Sequence, residues 1–422
     1  MDQTDRPRWR RDAAIFLASQ TISLLGSSLV QYALMWHVTL ATKSGAMMTL
    51  YIVAGFVPTF LLSPFGGVWA DRYDRKRLII LADAGIALVT LVLALFFLAG
   101  RTEIWLFFVA AAIRAVGQAV QGPAVGAILP QFVPEDKLMR VSGVNGTIQS
   151  TIMLVSPILS GALLSLSSIV TIFFIDVGTA AVAIAALSLF LRVPARERAP
   201  ESAGASHLED FRLGLRYVRD HRYLLSFFLF LGFLYFLVAP VAFLTPLQAT
   251  RSYGPEVWRL TAIEIAFSLG MMGGGAFLAA WGGFRNRMRT IVLSTLMMGI
   301  CTVALGLAPP FWLYLGIMLV FGVGMPFFNT PAAVMLQEHV ADDYLGRVFG
   351  LLSMLSTSLM PLAMLFFGPL ADAVRIEWIL LATGAALLLQ GFLALGRRRL
   401  MEAGLPAARD GAATEPASTS GS

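Results

Sequence analysis

Residues 67–77 read Gly-Val-Trp-Ala-Asp-Arg-Tyr-Asp-Arg-Lys-Arg. The segment packs Arg72, Arg75, Lys76 and Arg77 into one short stretch between two apolar runs, 46–70 and 78–100. Each run is long enough to cross a bilayer as a helix, which takes about 20 apolar residues. A charged hairpin between two such runs is a connection at a membrane face. The rest of the chain repeats the pattern. Of 422 residues, 57% are hydrophobic and 13% charged, with a mean hydropathy of +0.76. Soluble domains hold about 45–50% apolar and about 25% charged residues. A cytosolic fold cannot close over so much apolar side chain, so the chain is expected to be an all-α polytopic membrane protein.

Working outward with Gly, Pro and charge clusters as breaks, hydropathy predicts twelve spans. They run 13–40, 46–70, 78–100, 104–130, 141–167, 168–191, 223–250, 256–281, 289–308, 311–337, 347–371 and 374–396. The N-terminal segment, the even-numbered connections and the tail carry 25 Lys and Arg, against five on the other side (Lys43, Arg101, Arg251, Arg259, Arg375). Arg114 falls inside span four. This bias predicts cytoplasmic termini and insertion in the plasma (inner) membrane. The net charge of +6 is therefore topological, and no nucleic-acid partner is expected. Arg6, Arg8, Arg10 and Arg11 precede an apolar stretch too long for a signal peptide, and that stretch is read as span one.

The expected organisation is a segment 1–12, a six-helix bundle 13–191, a central loop 192–222, a second bundle 223–396 and a disordered tail 397–422. In the loop, Leu208, Phe211, Leu215 and Val218 recur at helical spacing among Arg212, Arg216, Arg219 and Arg222. That pattern predicts an amphipathic helix on the inner leaflet.

The two halves echo each other. Gly117, Val133, Leu138, Arg140-Val141, Gly143 and Gly161 match Gly324, Val340, Leu345, Arg347-Val348, Gly350 and Gly368 at one constant offset. A weaker echo links Trp69, Arg75 and Arg77 with Trp281, Arg287 and Arg289. Paired six-helix halves are a transporter plan, with substrate held between them at mid-membrane. Here the 67–77 segment becomes specific: Gly, three residues, Asp-Arg, two residues, Arg-Lys resembles the cytoplasmic motif of the major facilitator superfamily. Asp74 stands where many members have Gly. Within that superfamily the chain is similar to the macrolide-efflux type of drug:proton antiporter. Supporting stretches are Arg114…Gly117…Pro123, Val133-Pro134-Glu135 and Glu264-Ile265-Ala266-Phe267-Ser268. The resemblance covers about residues 12–396, and Ser156-Pro157…Gly161 keeps part of the antiporter motif of span five.

The resemblance implies a conformational gate built from Gly67, Asp71, Arg72, Arg75, Lys76 and Arg347. Asp71 would sit against the N-terminus of span eleven, where the helix dipole favours negative charge. Inside the membrane a cation such as Arg114 costs about 2.5–3.5 kcal/mol at a helix centre, so it must face protein or water. The resemblance gives it a role in proton coupling or substrate binding; an interhelical structural role is the alternative. Glu264, flanked by Ile263 and Ile265, suits a proton carrier, a partner for a cationic substrate, or a static partner for a neighbouring helix. Asp176 is a deeper candidate of the same kind, while Asp83 is expected to pair with a loop arginine. Gln20, Ser23, Ser27 and Gln31 share one face of span one and are read as cavity-lining, with Gln118, Gln121, Asn145 and Gln149 as further lining candidates. His37, beside Trp36, is read as an interfacial anchor.

None of Lys43, Lys76 and Lys137 stands in a Gly-Lys-Ser/Thr context, and the four histidines form no metal-ligand pattern. No catalytic set converges, so no enzyme activity, cofactor or metal is expected. The expected function is proton-coupled efflux of amphipathic or lipophilic compounds by alternating access, with protons, a small-molecule substrate and the bilayer as partners, by a monomer. An exporter of an endogenous siderophore-like or lipid-like product, or a non-transporting receptor with the same fold, are the alternatives.

Overall fold

The computed structural model describes residues 9–191 and 207–405. Long helices fill it: α1 (Trp9–Thr42), α2 (Gly45–Arg72), α3 (Arg75–Leu98), α4 (Ile104–Ile128), α5 (Glu135–Leu166) and α6 (Ile169–Phe190). A shorter α7 (His207–Asp220) leads into α8 (Arg222–Ser252), α9 (Val257–Trp281), α10 (Arg287–Gly306), α11 (Phe311–His339), α12 (Asp342–Ala373), α13 (Ile376–Gly396) and the short α14 (Arg398–Ala403). Twelve of these are long and apolar enough to cross a membrane. They alternate in direction, so α1 starts and α13 ends at one face, the terminus face; the α1–α2 connection lies at the far face.

The helices run past the apolar stretches because their ends are polar turns with helix-compatible residues. Thus α5 begins at Glu135 with two acids in its first turn, which complements the helix dipole. Asp74 caps α3: its side chain accepts from the Arg77 N–H at 3.0 Å with an ordinary φ of −63°. The tight connection there needs no glycine, and an acidic cap serves in its place.

Equivalent helices pack alike in the two halves. α2 packs on α4 as α9 packs on α11; α3 lies against α4 and α6 as α10 lies against α11 and α13. The halves meet along α2–α12 and α5–α9, and these two seams are symmetry counterparts. The glycines of α9 serve packing within one half: Gly270 and Gly274 press against the backbone of Leu319 and Val323 in α11, where a Cβ would collide.

α7 docks on the start of α12. Gly214 sits against Arg347 and Leu351, Tyr217 stacks on Tyr344 at 4.3 Å, and the Tyr217 hydroxyl accepts from the Ala341 N–H at 3.2 Å. Val218 is buried while Phe211 and Leu215 stay exposed. The first part of the tail expected to be disordered over 397–422 instead forms α14, docked on the start of α10: the Gly404 carbonyl accepts from the Arg287 N–H and the Met401 carbonyl from Asn286 Nδ2, both at 2.7 Å, and Leu400 is buried. The polar start of the central loop and the tail beyond Leu405 lie outside the described residues, as do Arg6 and Arg8.

Candidate functional site

Among the described residues, four charged side chains lie deep within the spans, about two turns or more from either helix end: Asp83, Arg114, Asp176 and Glu264. Arg114 of α4 and Asp176 of α6 are 4% and 1% exposed and form an ion pair at 2.7 Å. Around them, Thr90 of α3 donates to Asp176 Oδ2 at 2.8 Å and Ser27 of α1 donates to Oδ1 at 3.2 Å. The guanidinium also bonds Thr90 Oγ1, and it donates to the Ser27 carbonyl at 3.2 Å. The carboxylate therefore has a partner on each of three helices. A charge moved out of water needs such satisfaction to be tolerated.

The polar face of α1 turns into this core. Ser23 and Ser27 donate to Asp83 and Asp176, and Gln20 is 8% exposed. Gln20, read as cavity-lining, is buried within the N-terminal half on the same face of α1 as these two serines. Asp83 pairs with Ser23 and Gln121 rather than with a loop arginine among the described residues. Gln118 and Asn145 are half-buried, while Gln31 and Gln149 are exposed. His37, read as an interfacial anchor, is half-buried and stacks on Phe107 at 4.9 Å, and Trp36 beside it is fully buried.

The basic residues of the 67–77 segment staple helix ends within the N-terminal half. Arg75 is 8% exposed; its Nε donates to the Ala70 carbonyl at 2.8 Å, and it also bonds the Ala127 carbonyl. Lys76 reaches the carbonyls of Leu191 at 2.8 Å and Ser188 at 3.2 Å. Cations at helix C-termini satisfy orphan carbonyls and oppose the negative dipole end. Arg72 is exposed, Gly67 is half-buried, and the Asp71 side chain lies outside the described residues. Arg347 is half-buried, with its guanidinium over the Tyr344 ring.

A cluster at the far face had no counterpart in the sequence reading. Asp372, at the end of α12, accepts from Ser44 Oγ at 2.7 Å, the Gly45 N–H at 2.7 Å and the Ala46 N–H at 2.9 Å. It thereby caps the N-terminus of α2 from the opposite half. Arg251 of α8 adds an ion pair to Asp372 at 2.7 Å and donates to the carbonyls of Lys43 and Ala371, both at 2.6 Å. One turn deeper, Thr49 donates to the Met364 carbonyl at 3.0 Å. Gly45 and Gly368 are wedged together there; a side chain at either would strike the other's backbone. Along the second seam, Thr261 of α9 abuts Gly161 of α5 beside the Trp36 ring. At the terminus-face ends, by contrast, Gly67, Gly143, Gly146, Gly346 and Gly350 look onto open space. The only signals for this seal were Ser44-Gly45, a helix-start pattern, and a lone acid closing an apolar span.

Glu264 lies one turn along α9 from Thr261, just inside the seal, and is half-buried. Among the described residues no hydrogen bond or ion pair ends on its carboxylate. Tyr32 of α1, in the opposite half, is within electrostatic reach of it.

The family model described as Major Facilitator Superfamily matches residues 14–364. The chain belongs to the major facilitator superfamily. Among the relatives of this superfamily member is Macrolide efflux protein A of Streptococcus pyogenes, 29% identical over 378 residues, spanning 89% of this chain and 93% of that one. Macrolide efflux protein A of Enterococcus faecalis is 30% identical over 322 residues, 76% of this chain and 99% of the relative. Multidrug efflux pump Tap of Mycobacterium bovis is 23% identical, covering 93% of this chain and 95% of the pump. Among solved structures, a bacterial homologue of the lysosomal transporter Spinster, inward-facing and unoccupied, aligns with a TM-score of 0.68 at 13% identity, covering 95% of this chain and 98% of that one. The nucleoside transporter NupG aligns with a TM-score of 0.65 at 15% identity, covering 92% and 98%. The chain is thus a membrane transporter with the twelve-span facilitator fold.

Proposed function

We propose that this transporter exports amphipathic or lipophilic compounds, macrolide-like drugs among them, in exchange for protons, by alternating access between the two halves. The terminus face is cytoplasmic on this reading, since 25 of the Lys and Arg residues lie there against five opposite. The structure then corresponds to an arrangement closed to the outside by the Asp372–Arg251 seal. Glu264 carries the reading: it is an acid without a partner, set just under the seal on the seam where the halves meet. An unpartnered carboxyl there can take a proton when the far face opens and give it up toward the terminus face. The same group can bind the cationic centre of an amphipathic substrate. Arg114 and Asp176 hold the N-terminal half rigid around the path, and Asp71 with Arg347 forms the gate at the terminus face.

Uptake of a radiolabelled macrolide into everted membrane vesicles with an acidic lumen tests this. Wild type is expected to accumulate the drug until a protonophore is added. Glu264→Gln is expected to accumulate about tenfold less per unit of pH difference, the loss equivalent to one coupled proton. Equal, protonophore-sensitive accumulation by both proteins would remove Glu264 from the coupling; no uptake by well-expressed wild type would remove macrolides as substrates.

A further inference from the structure

The N-terminal half contains a second acid that the Arg114–Asp176 pair does not use. Asp83 of α3 is 2% exposed, and its Oδ1 accepts from Ser23 Oγ of α1 at 2.8 Å and from Gln121 Nε2 of α4 at 2.6 Å. Its Oδ2 is buried and makes no hydrogen bond among the described residues. Gln20, one turn from Ser23 on the same face of α1, is also buried, and its Nε2 is likewise without a partner. Two orphan polar atoms, an acidic oxygen and an amide nitrogen, are thus buried in the N-terminal half, linked through Ser23, which lies one turn from Gln20 and donates to Asp83.

The charges around Asp83 decide its state. From α4 comes Arg114, but its guanidinium is engaged by Asp176 and by Thr90, the latter seven residues along α3 from Asp83 and hence about 10 Å away. From α6 comes Asp176, a like charge. α1 contributes Ser23 and Gln20, its titratable groups within the span, Tyr32 and His37, lying toward the far face, and α2 has no charged residue between Gly45 and Ala70. An ionised Asp83 would be a buried anion with no cation in contact among the described residues, and the Arg114–Asp176 pair beyond it is neutral as a whole, so the uncompensated charge costs several kcal/mol. A neutral carboxyl fits what is there. Its carbonyl oxygen takes both donors, as Oδ1 does, and its hydroxyl oxygen stands apart, as Oδ2 does. A glutamine amide can serve either state, donating to an ionised oxygen or accepting from an O–H. A metal cation is less well matched, because Ser23 and Gln121 turn hydrogens, not lone pairs, toward the carboxylate.

We propose that Asp83 is a second proton site of the transport cycle, closed within the N-terminal half and holding its proton on Oδ2 while the far face is sealed. Its part in transport rests on the proton-coupled reading above; its occupancy by a proton does not. Release follows when movement of α1 against α3 and α4 admits water to Oδ2, which returns the proton to solvent and leaves the carboxylate hydrated.

Infrared difference spectra of the full chain in lipid vesicles, between acid and alkaline buffer, read the occupancy directly. Wild type is expected to show the C=O stretch of a protonated carboxyl, and Asp83→Asn to lose a component of it that Glu264→Gln keeps. Ser23→Ala retains the acid but removes a donor from Oδ1, so that component should move to higher frequency. A band unchanged by Asp83→Asn overturns the proposal, as does a band abolished by sodium, which would make the cluster a metal-cation site. In the same vesicles Asp83→Asn should keep substrate exchange at equilibrium while its gradient-driven accumulation falls about tenfold per pH unit. Proton-dependent flux in wild type that Asp83→Asn leaves untouched defeats the coupling role alone. Absence of proton-dependent flux in wild type defeats the transport reading, while the band still decides whether Asp83 carries a proton.

Discussion

Arg114→Met is expected to lower stability by about 3–5 kcal/mol, the cost of leaving a buried carboxylate without its cation. Methionine fills much of the space, so lost volume contributes little. The competing expectation is small. Interhelical hydrogen bonds in membrane proteins average about 0.6 kcal/mol, because the unfolded helices also find partners in lipid. The two effects differ enough to be told apart by unfolding in mixed detergent micelles. The double variant Arg114→Met/Asp176→Asn should recover most of the loss, since both charges are then gone and Asn can accept from one of the Thr90 and Ser27 hydroxyls and donate to the oxygen of the other. A single variant within about 1 kcal/mol of wild type would mean that water, not the pair, solvates Asp176. The equivalent positions in the C-terminal half show why the pair is not simply part of the fold. Phe321 stands where Arg114 does and Thr383 where Asp176 does, both buried, and the half packs around them without a charge.

That comparison marks what the amino-acid sequence made legible. Twelve apolar runs and a one-sided distribution of Arg define the spans, because a stretch of lipid-compatible length is a local property. Each intramembrane charge was visible for the same reason: an Arg or Asp in an apolar run is costly wherever it points. Their partners were not. Ser23 and Asp83 are 60 residues apart in the chain, and Arg114 and Asp176 are 62, with nothing in spacing to join them. The polar face of α1 was legible as a face, but whether it turned to a cavity or to buried acids depended on rotation about the helix axis. The far-face seal was the least legible feature. Ser44 and Asp372 lie 328 residues apart and each reads as an ordinary polar residue at the end of a span. Only the seam between halves reveals that the acid of one caps the helix of the other.

Removing that acid should open the molecule without unfolding it. Asp372 and Arg251 are each about one-third exposed, so the ion pair itself contributes little, within about 1 kcal/mol. The larger share comes from the capping bonds to Ser44, Gly45 and Ala46, since hydrogen bonds to a charged group contribute about 1.5–3 kcal/mol. Asp372→Ala deletes these together and should shift the balance from closed to open by about 2–3 kcal/mol, roughly 30- to 150-fold. Spin labels at Ala41→Cys and Pro255→Cys, in a Cys301→Ser background, flank the seal and report it as a second, longer distance. Asp372→Asn, which keeps one acceptor but loses the charge, should give a smaller open fraction. Distances identical to those of the parent would show that the glycine wedge at Gly45 and Gly368, not the capping acid, holds the far face shut. The consequence for transport follows from the shifted equilibrium. A ligand or proton that favours the open form no longer has to break the cap, so the ratio of far-face to terminus-face apparent affinity rises by the factor through which the equilibrium shifts. On the proposed export reading, the protein with this change would capture substrate poorly from the terminus face and rebind it readily from the far face.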